Sequence, residues 1–227
     1  MFTLIKNANL YAPAYLGKTD ILLCGEKIAH ISQTIELNES FCHTIDVQGK
    51  IVTPGFIDQH VHITGGGGQQ GYASLVPEVT MSELVACGTT TVLGMLGTDG
   101  FAKELTTLYA KAKAIDDDGL SAYMLTSYYG LPTKTLMNSV ADDLIFIDKV
   151  IGCKLAMSDD RSPFPTEQEI LRIIHQVRLG GFTSGKGGIL HIHLGALPEG
   201  IEPTLTQYCS SLSYTDILSV SYSSDTY

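Results

Sequence analysis

The chain has 227 residues, 44% of them hydrophobic, and carries 24 acidic against 14 basic side chains for a formal net charge of −10. That is enough apolar material for one large or two small cores, and the acidic balance argues against a protein that grips nucleic acid through a basic face. No apolar run approaches the roughly 18 residues of a membrane span, and the N-terminus lacks a signal-peptide core. The five cysteines, scattered without a C-x-x-C pair, read as reduced thiols of a cytoplasmic protein.

In chain order, residues 1–53 hold short β signals at Thr3 to Lys6, Asp20 to Cys24, Lys27 to Ser32 and His43 to Val47. Gly17-Lys18, Gly25-Glu26 and Gly49-Lys50 supply turn chemistry between them. This predicts the N-terminal part of a small β-sandwich. From Ile51 the pattern becomes strand then helix. Strands are expected at Phe56 to Ile63, Thr90 to Leu96, Ser121 to Ser127, Ile151 to Met157 and Gly188 to Leu194. Helices are expected at Pro77 to Ala86, Ala102 to Ile115, Val140 to Val150, and from Pro165 to about Leu179. Five β/α units with apolar strands predict an α/β fold built on a parallel sheet.

No G-x-G-x-x-G opens a helix after the first of these strands, so a dinucleotide site has no support. Polar residues gather instead at the C-terminal strand ends, where a (β/α)8 barrel keeps its chemistry. Residues 54–203 are therefore read as an incomplete TIM-type barrel of about five strands. Residues 204–227 contain seven serines, four threonines and four tyrosines, with no lysine or arginine. They read as an unassigned tail following a truncation, because the stretch after Phe56 falls well short of the about 250 residues of a whole barrel.

Three features carry chemistry. His60 and His62, in Asp58-Gln59-His60-Val61-His62, alternate onto one face of a strand, where two imidazoles can chelate one cation. Four glycines, Gly65 to Gly68, follow directly, as expected where a backbone must be approached closely. Lys154 interrupts the apolar run Val150 to Met157. A lysine there is costly unless paired, neutral or modified. Desolvation lowers its pKa, and a neutral amine can take up carbon dioxide as a two-oxygen carbamate. His191 and His193 form a second same-face pair, one of which could complete a metal site if their strand faces the first.

Pro54 to His62 with the glycine run, Leu96-Gly97-Thr98-Asp99, Ile151-Gly152-Cys153-Lys154, Ser158-Asp159-Asp160-Arg161 and His193-Leu194-Gly195 together resemble the amidohydrolase superfamily. Within it they are most similar to the isoaspartyl dipeptidase family, metal-dependent hydrolases of β-aspartyl dipeptides. The resemblance runs from about residue 2 to about residue 203. It implies two zinc ions per complete chain, fewer or none here, with His60 and His62 on one, His193 on the other and a carboxylated Lys154 bridging them. A zinc-activated water would attack the peptide bond, and Tyr129 would act at the reacting carbonyl. Substrate contacts would fall on Gly67, Gln69, Thr98, Tyr129 and Arg161, the last gripping a carboxylate through its planar fork; a salt bridge from Arg161 to Asp159 or Asp160 is the plainer reading. Gln69 stands where the family has a glutamate for the substrate's ammonium group. A further metal-binding histidine and a general-base aspartate of the family are not identifiable. The implied partner is a small dipeptide, with neither nucleic acid nor membrane, and a homo-oligomer is compatible with it. Alternatives are a catalytically incompetent remnant, or a cyclic-amide hydrolase of the dihydroorotase or hydantoinase kind.

Overall fold

The computed structural model describes residues 2–195 and the backbone of 218–222. The chain divides into two compact units, Met1–Gly55 and Phe56–Tyr227. The first is a β-sheet of β1 (Phe2–Tyr11), β2 (Tyr15–Cys24), β3 (Lys27–Ser32), β4 (Cys42–Asp46) and the short β5 (Ile51–Val52). β1 is central, antiparallel to β2 and parallel to β4 and β5. Ala8 and Leu10 alternate inward from β1 to meet Ile21, forming a small core.

β1 and β2 run longer than their sequence signals, because irregularities are absorbed inside them. Their pairing shifts register between Ile5 and Ala8, where Asn7 has a φ of 59°. The buried Asp20 carboxylate answers that break, accepting from the backbone N–H of Asn7 at 2.9 Å and of Ile35 at 3.0 Å. A buried charge is tolerable there because it satisfies donors that the bulge takes out of the ladder.

The second unit carries six parallel strands that lie side by side in chain order: β6 (Phe56–Val61), β7 (Thr89–Gly94), β8 (Ser121–Ser127), β9 (Val150–Met157), β10 (Ile189–Leu194) and β11 (Leu218–Tyr222). Among the described residues four α-helices intervene: α1 (Met81–Ala86), α2 (Leu105–Asp117), α3 (Val140–Phe146) and α4 (Glu167–Ser184). This is the expected partial TIM-barrel α/β fold with one strand more. β11 pairs with β10 from Leu190↔Leu218 to Leu194↔Tyr222, so part of the stretch read as an unassigned tail is a strand. The rest of 204–227, Cys209 included, and residues 196–203 lie outside the described residues.

Helix ends depart from the sequence expectation for local reasons. α1 begins at Met81 because Thr80 and Glu83 form a capping box; Pro77 to Val79 lead in without helical structure. α3 stops at Phe146, and the Lys186 ammonium then binds the carbonyls of Leu144, Ile147 and Val150. α4 starts at the Thr166/Glu169 capping box and runs through Gly180-Gly181 to end at Gly185, which takes the left-handed conformation.

The strands sort their side chains by alternation. On β9, Cys153, Leu155 and Met157 join a core shared with the helices, as do Leu190, Ile192 and Leu194 on β10. Lys154, His191 and His193 therefore emerge on the opposite face of the sheet.

Candidate metal centre

β6 brings His60 and, one residue past its end, His62 to the same side. Their rings meet edge to face with centroids 5.4 Å apart. Across the sheet, β10 supplies His191, whose ring lies 4.9 Å from that of His60, and His193, at 6.5 Å. Lys154 belongs to β9, directly opposite His191 in the β9–β10 ladder. Four imidazoles and one amine converge on one face of a parallel sheet.

Burial sets the charge of this cluster. Lys154 is 1% exposed, and among the described residues its Nζ has no hydrogen-bond partner. Desolvation lowers its pKa to about 7. Burial, followed by the charge of Lys154, lowers His60 and His191 to about 3. His62 and His193 are also lowered, chiefly by burial. The imidazoles are thus neutral and keep lone pairs at neutral pH, which is the state a cation needs.

Two of the rings are fixed as to tautomer. His62 Nδ1 lies 3.0 Å from the Met95 carbonyl. A carbonyl only accepts, so Nδ1 carries the proton and Nε2 keeps its lone pair. His193 Nε2 faces the Asp159 carboxylate at 3.3 Å, which leaves its Nδ1 as the basic nitrogen. His60 Nδ1 and His191 Nε2 are 3.0 Å apart, and one donates to the other.

The glycine run has an internal explanation. A Cβ on Gly65 would lie 2.2 Å from the Val76 carbonyl oxygen, and one on Gly67 would lie 2.5 Å from that of Ser74. Gly66 and Gly97 flank the His62 ring, and a Cβ on Gly97 would sit 2.6 Å from its Cε1. These glycines fold a loop back on itself and clear space for an imidazole. Thr98 closes the loop, its Oγ1 donating to the Gly67 carbonyl at 2.9 Å. Gln69 is exposed.

On the His193 side stand Tyr129, Asp159 and Arg161. The Tyr129 and His193 ring centroids are 5.1 Å apart, and the Arg161 guanidinium lies 5.8 Å from the Tyr129 ring centre. Burial, then the nearby Asp159 carboxylate, push the Tyr129 phenol far above its ordinary value. Among the described residues its buried hydroxyl has no hydrogen-bond partner. Arg161 is ion-paired with Asp159 at 2.7 Å and with Asp160 at 3.4 Å, the plainer of the two sequence readings, although Asp159 is buried rather than superficial.

The structure thus gathers His60, His62, Lys154 and His193, with Tyr129 and Arg161 beside them and Thr98 and Gly67 joined nearby. His191 belongs to the same cluster, and its position in the Leu190-His191-Ile192-His193 alternation was the signal for it. Asp159 and the Met95 carbonyl had no distinguishing signal in the sequence.

A metal is tested by these donors. Among the described residues no three His, Cys, Asp or Glu side chains already form a closed ligand set. The donors present are neutral imidazoles, two of them with assigned lone pairs, plus a buried amine, unpartnered among the described residues, that becomes an oxygen ligand only as a carbamate. Their chemistry fits a borderline divalent cation such as zinc.

No family model matches the sequence. The beta-aspartyl dipeptidase of Fervidobacterium islandicum AW-1 superposes with a TM-score of 0.88 at 40% identity, over 95% of this chain and 59% of that chain. Its structure in complex with a beta-Asp-Leu dipeptide gives 0.88 and 41%, over 94% and 56%. A dihydroorotase of Staphylococcus aureus MRSA252 is 31% identical over 139 residues, 61% of this chain and 31% of that protein. The chain therefore spans less than two thirds of the length of these relatives. Over that span, it is a homologue of beta-aspartyl dipeptidase and belongs to the amidohydrolase superfamily.

Proposed function

We propose that the chain carries the metal-binding and substrate-gripping residues of a β-aspartyl dipeptidase, acting in the cytoplasm on small dipeptides. The observation that carries this reading is Lys154, an unpartnered buried amine beside His191, in a cluster that also holds His60, His62 and His193. A buried amine with a pKa near 7 reacts as the free base with carbon dioxide, forming an N–C bond and releasing one proton. The product is an anion that would sit among neutral imidazoles and resolve the cost of burying Lys154.

His60 and His62 would hold one zinc, His193 a second, and carboxylated Lys154 both. Bound there, the cations would polarise a scissile carbonyl and acidify a water. The chain's own residues would bind and orient. The Tyr129 phenol, kept protonated by its raised pKa, would donate a hydrogen bond to the oxygen that gains negative charge. Arg161 would pair with the substrate's carboxylate. Thr98 and Gly67 would hold the loop against the peptide, and Gln69 would meet the amino terminus with an amide rather than a charge.

The test is to load the purified chain with zinc and bicarbonate, count metal per chain, and offer β-Asp-Leu beside its α-linked isomer. About two zinc ions and β-selective cleavage are expected. Zinc uptake without cleavage would favour the catalytically incompetent reading. Hydrolysis of dihydroorotate or a hydantoin instead would favour the cyclic-amide class, to which the Staphylococcus aureus relative belongs.

A further inference from the structure

Asp159 is buried to 5% exposure and touches both sides of the site. Its Oδ1 accepts from the Arg161 backbone N–H at 2.9 Å and from Nε at 2.8 Å. Its Oδ2 accepts from Nη2 at 2.7 Å and faces His193 Nε2 at 3.3 Å. Burial alone would raise its pKa, but the Arg161 hydrogen bonds, with the Tyr129 hydroxyl nearby, hold it well below the ordinary carboxylate range. The neighbouring Asp160 is 83% exposed at its side chain and pairs with the Arg161 Nε at 3.4 Å.

The backbone is built to place this group. Ser158 turns the chain with a φ of 53°, in the left-handed region. Gly195, at the exit of β10, then packs against the turn so closely that a Cβ would lie 2.5 Å from both the Asp159 Cβ and the Ser158 carbonyl oxygen. The Gly195 N–H donates to the Met157 carbonyl at 3.0 Å and clamps the two strand exits together.

We propose that Asp159 is a positioning residue that ties the cation-side His193 to the substrate-side Arg161, so that one buried carboxylate sets both the cation affinity and the substrate-carboxylate affinity of the site. This role rests on the dipeptidase reading. Through His193 the carboxylate fixes the Nε2–H tautomer and directs the Nδ1 lone pair toward a cation. Through Arg161 it occupies the Nε–Nη2 edge of the guanidinium. A substrate carboxylate would then meet the Nη1–Nη2 edge, in an orientation that Asp159 dictates.

The experiment uses the full chain, Co²⁺ with a chelator competitor, and β-Asp-Leu binding by calorimetry. Asp159→Asn is expected to weaken Co²⁺ by about 10- to 100-fold, the usual effect of losing a ligand's outer partner, and to abolish measurable dipeptide binding. Arg161→Met is expected to lose the dipeptide while keeping Co²⁺ within about twofold. A purely structural Asp159 would lower the melting temperature and leave the Co²⁺ affinity of the folded fraction unchanged, and that result overturns the proposal. Should Asp159→Asn fail to fold, nitrogen-15 spectra of the unsubstituted, metal-free chain decide. His193 as the Nε2–H tautomer supports the role, and as Nδ1–H overturns it. An unsubstituted chain that binds no Co²⁺ sinks the dipeptidase reading, while the tautomer still reports on the Asp159–His193 bond by itself.

Discussion

At the residue scale the sheet face opposite the helices buries an amine, Lys154 Nζ, that has no hydrogen-bond partner among the described residues. A buried amine without a hydrogen bond costs about 1–3 kcal/mol relative to an apolar side chain of similar shape. Lys154→Met should therefore stabilise the metal-free chain by that order and raise its melting temperature in EDTA. An unchanged or lower temperature would mean that the ammonium is satisfied in solution. Cys153 is the contrasting case: burial pushes its thiol up to about 12, against an ordinary value near 9. Native protein at pH 8 should alkylate at the exposed Cys24 and Cys87 and spare Cys153, read by peptide mass mapping. The sign of the stability effect follows. Between pH 9 and 12 the unfolded chain loses this proton and the folded one keeps it, so Cys153 destabilises the fold as pH rises through that window. Strand alternation made His60, His62 and His193 legible in the sequence, and Lys154 stood out as a lysine within an apolar run. Asp159 was not legible. Asp159 and Asp160 are the same residue type side by side, and only the turn at Ser158 decides which is buried.

At the scale of elements, glycine proved the ambiguous letter. Gly185 ends α4 with a positive φ, the role glycine usually signals, whereas Gly180 and Gly181 lie within the helix. A Cβ on Gly180 would sit 2.7 Å from the Leu144 Cβ, so this glycine is where α4 packs on α3. The sequence places the end of this helix at about Leu179, whereas the structure carries it on through these packing glycines to Ser184. Gly180→Ala separates the two meanings. Helix propensity alone would stabilise by about 1 kcal/mol, but overpacking against Leu144 costs about 1–3 kcal/mol, and a net loss is expected in urea unfolding. A gain would show that the α3–α4 contact yields easily. β11 illustrates the opposite error. Leu218-Ser219-Val220-Ser221-Tyr222 alternates apolar and polar residues with strand period, yet the surrounding serine and tyrosine composition outweighed that local signal. Five strands were legible because each was rich in apolar or β-branched residues and each of the four gaps between them held a helical pattern.

At the scale of the molecule, the parallel sheet of the second unit has two edges among the described residues, β6 and β11. A whole barrel has none. On β6, Phe56 is 63% and Ile57 65% exposed, and among the described residues the strand pairs with β7 alone, so an open backbone edge and apolar side chains are presented together. Such an edge is a template for pairing with another chain. Opposing it is the net charge of −10, which repels a second copy at long range. Salt decides between them, because the screening length falls from about 10 Å at 0.1 M to about 3 Å at 1 M while the apolar contribution does not weaken. Self-association should therefore grow with ionic strength, the reverse of an assembly held by ion pairs. Ile57→Lys should suppress it by placing a charge on the edge strand, with little effect on the unit's own core, since Ile57 is mostly in solvent. Sedimentation velocity across a concentration series at low and high salt measures this directly. A chain that stays monomeric at micromolar concentration in 1 M salt, or an Ile57→Lys variant that associates as the parent does, would show that the β6 edge is covered rather than open.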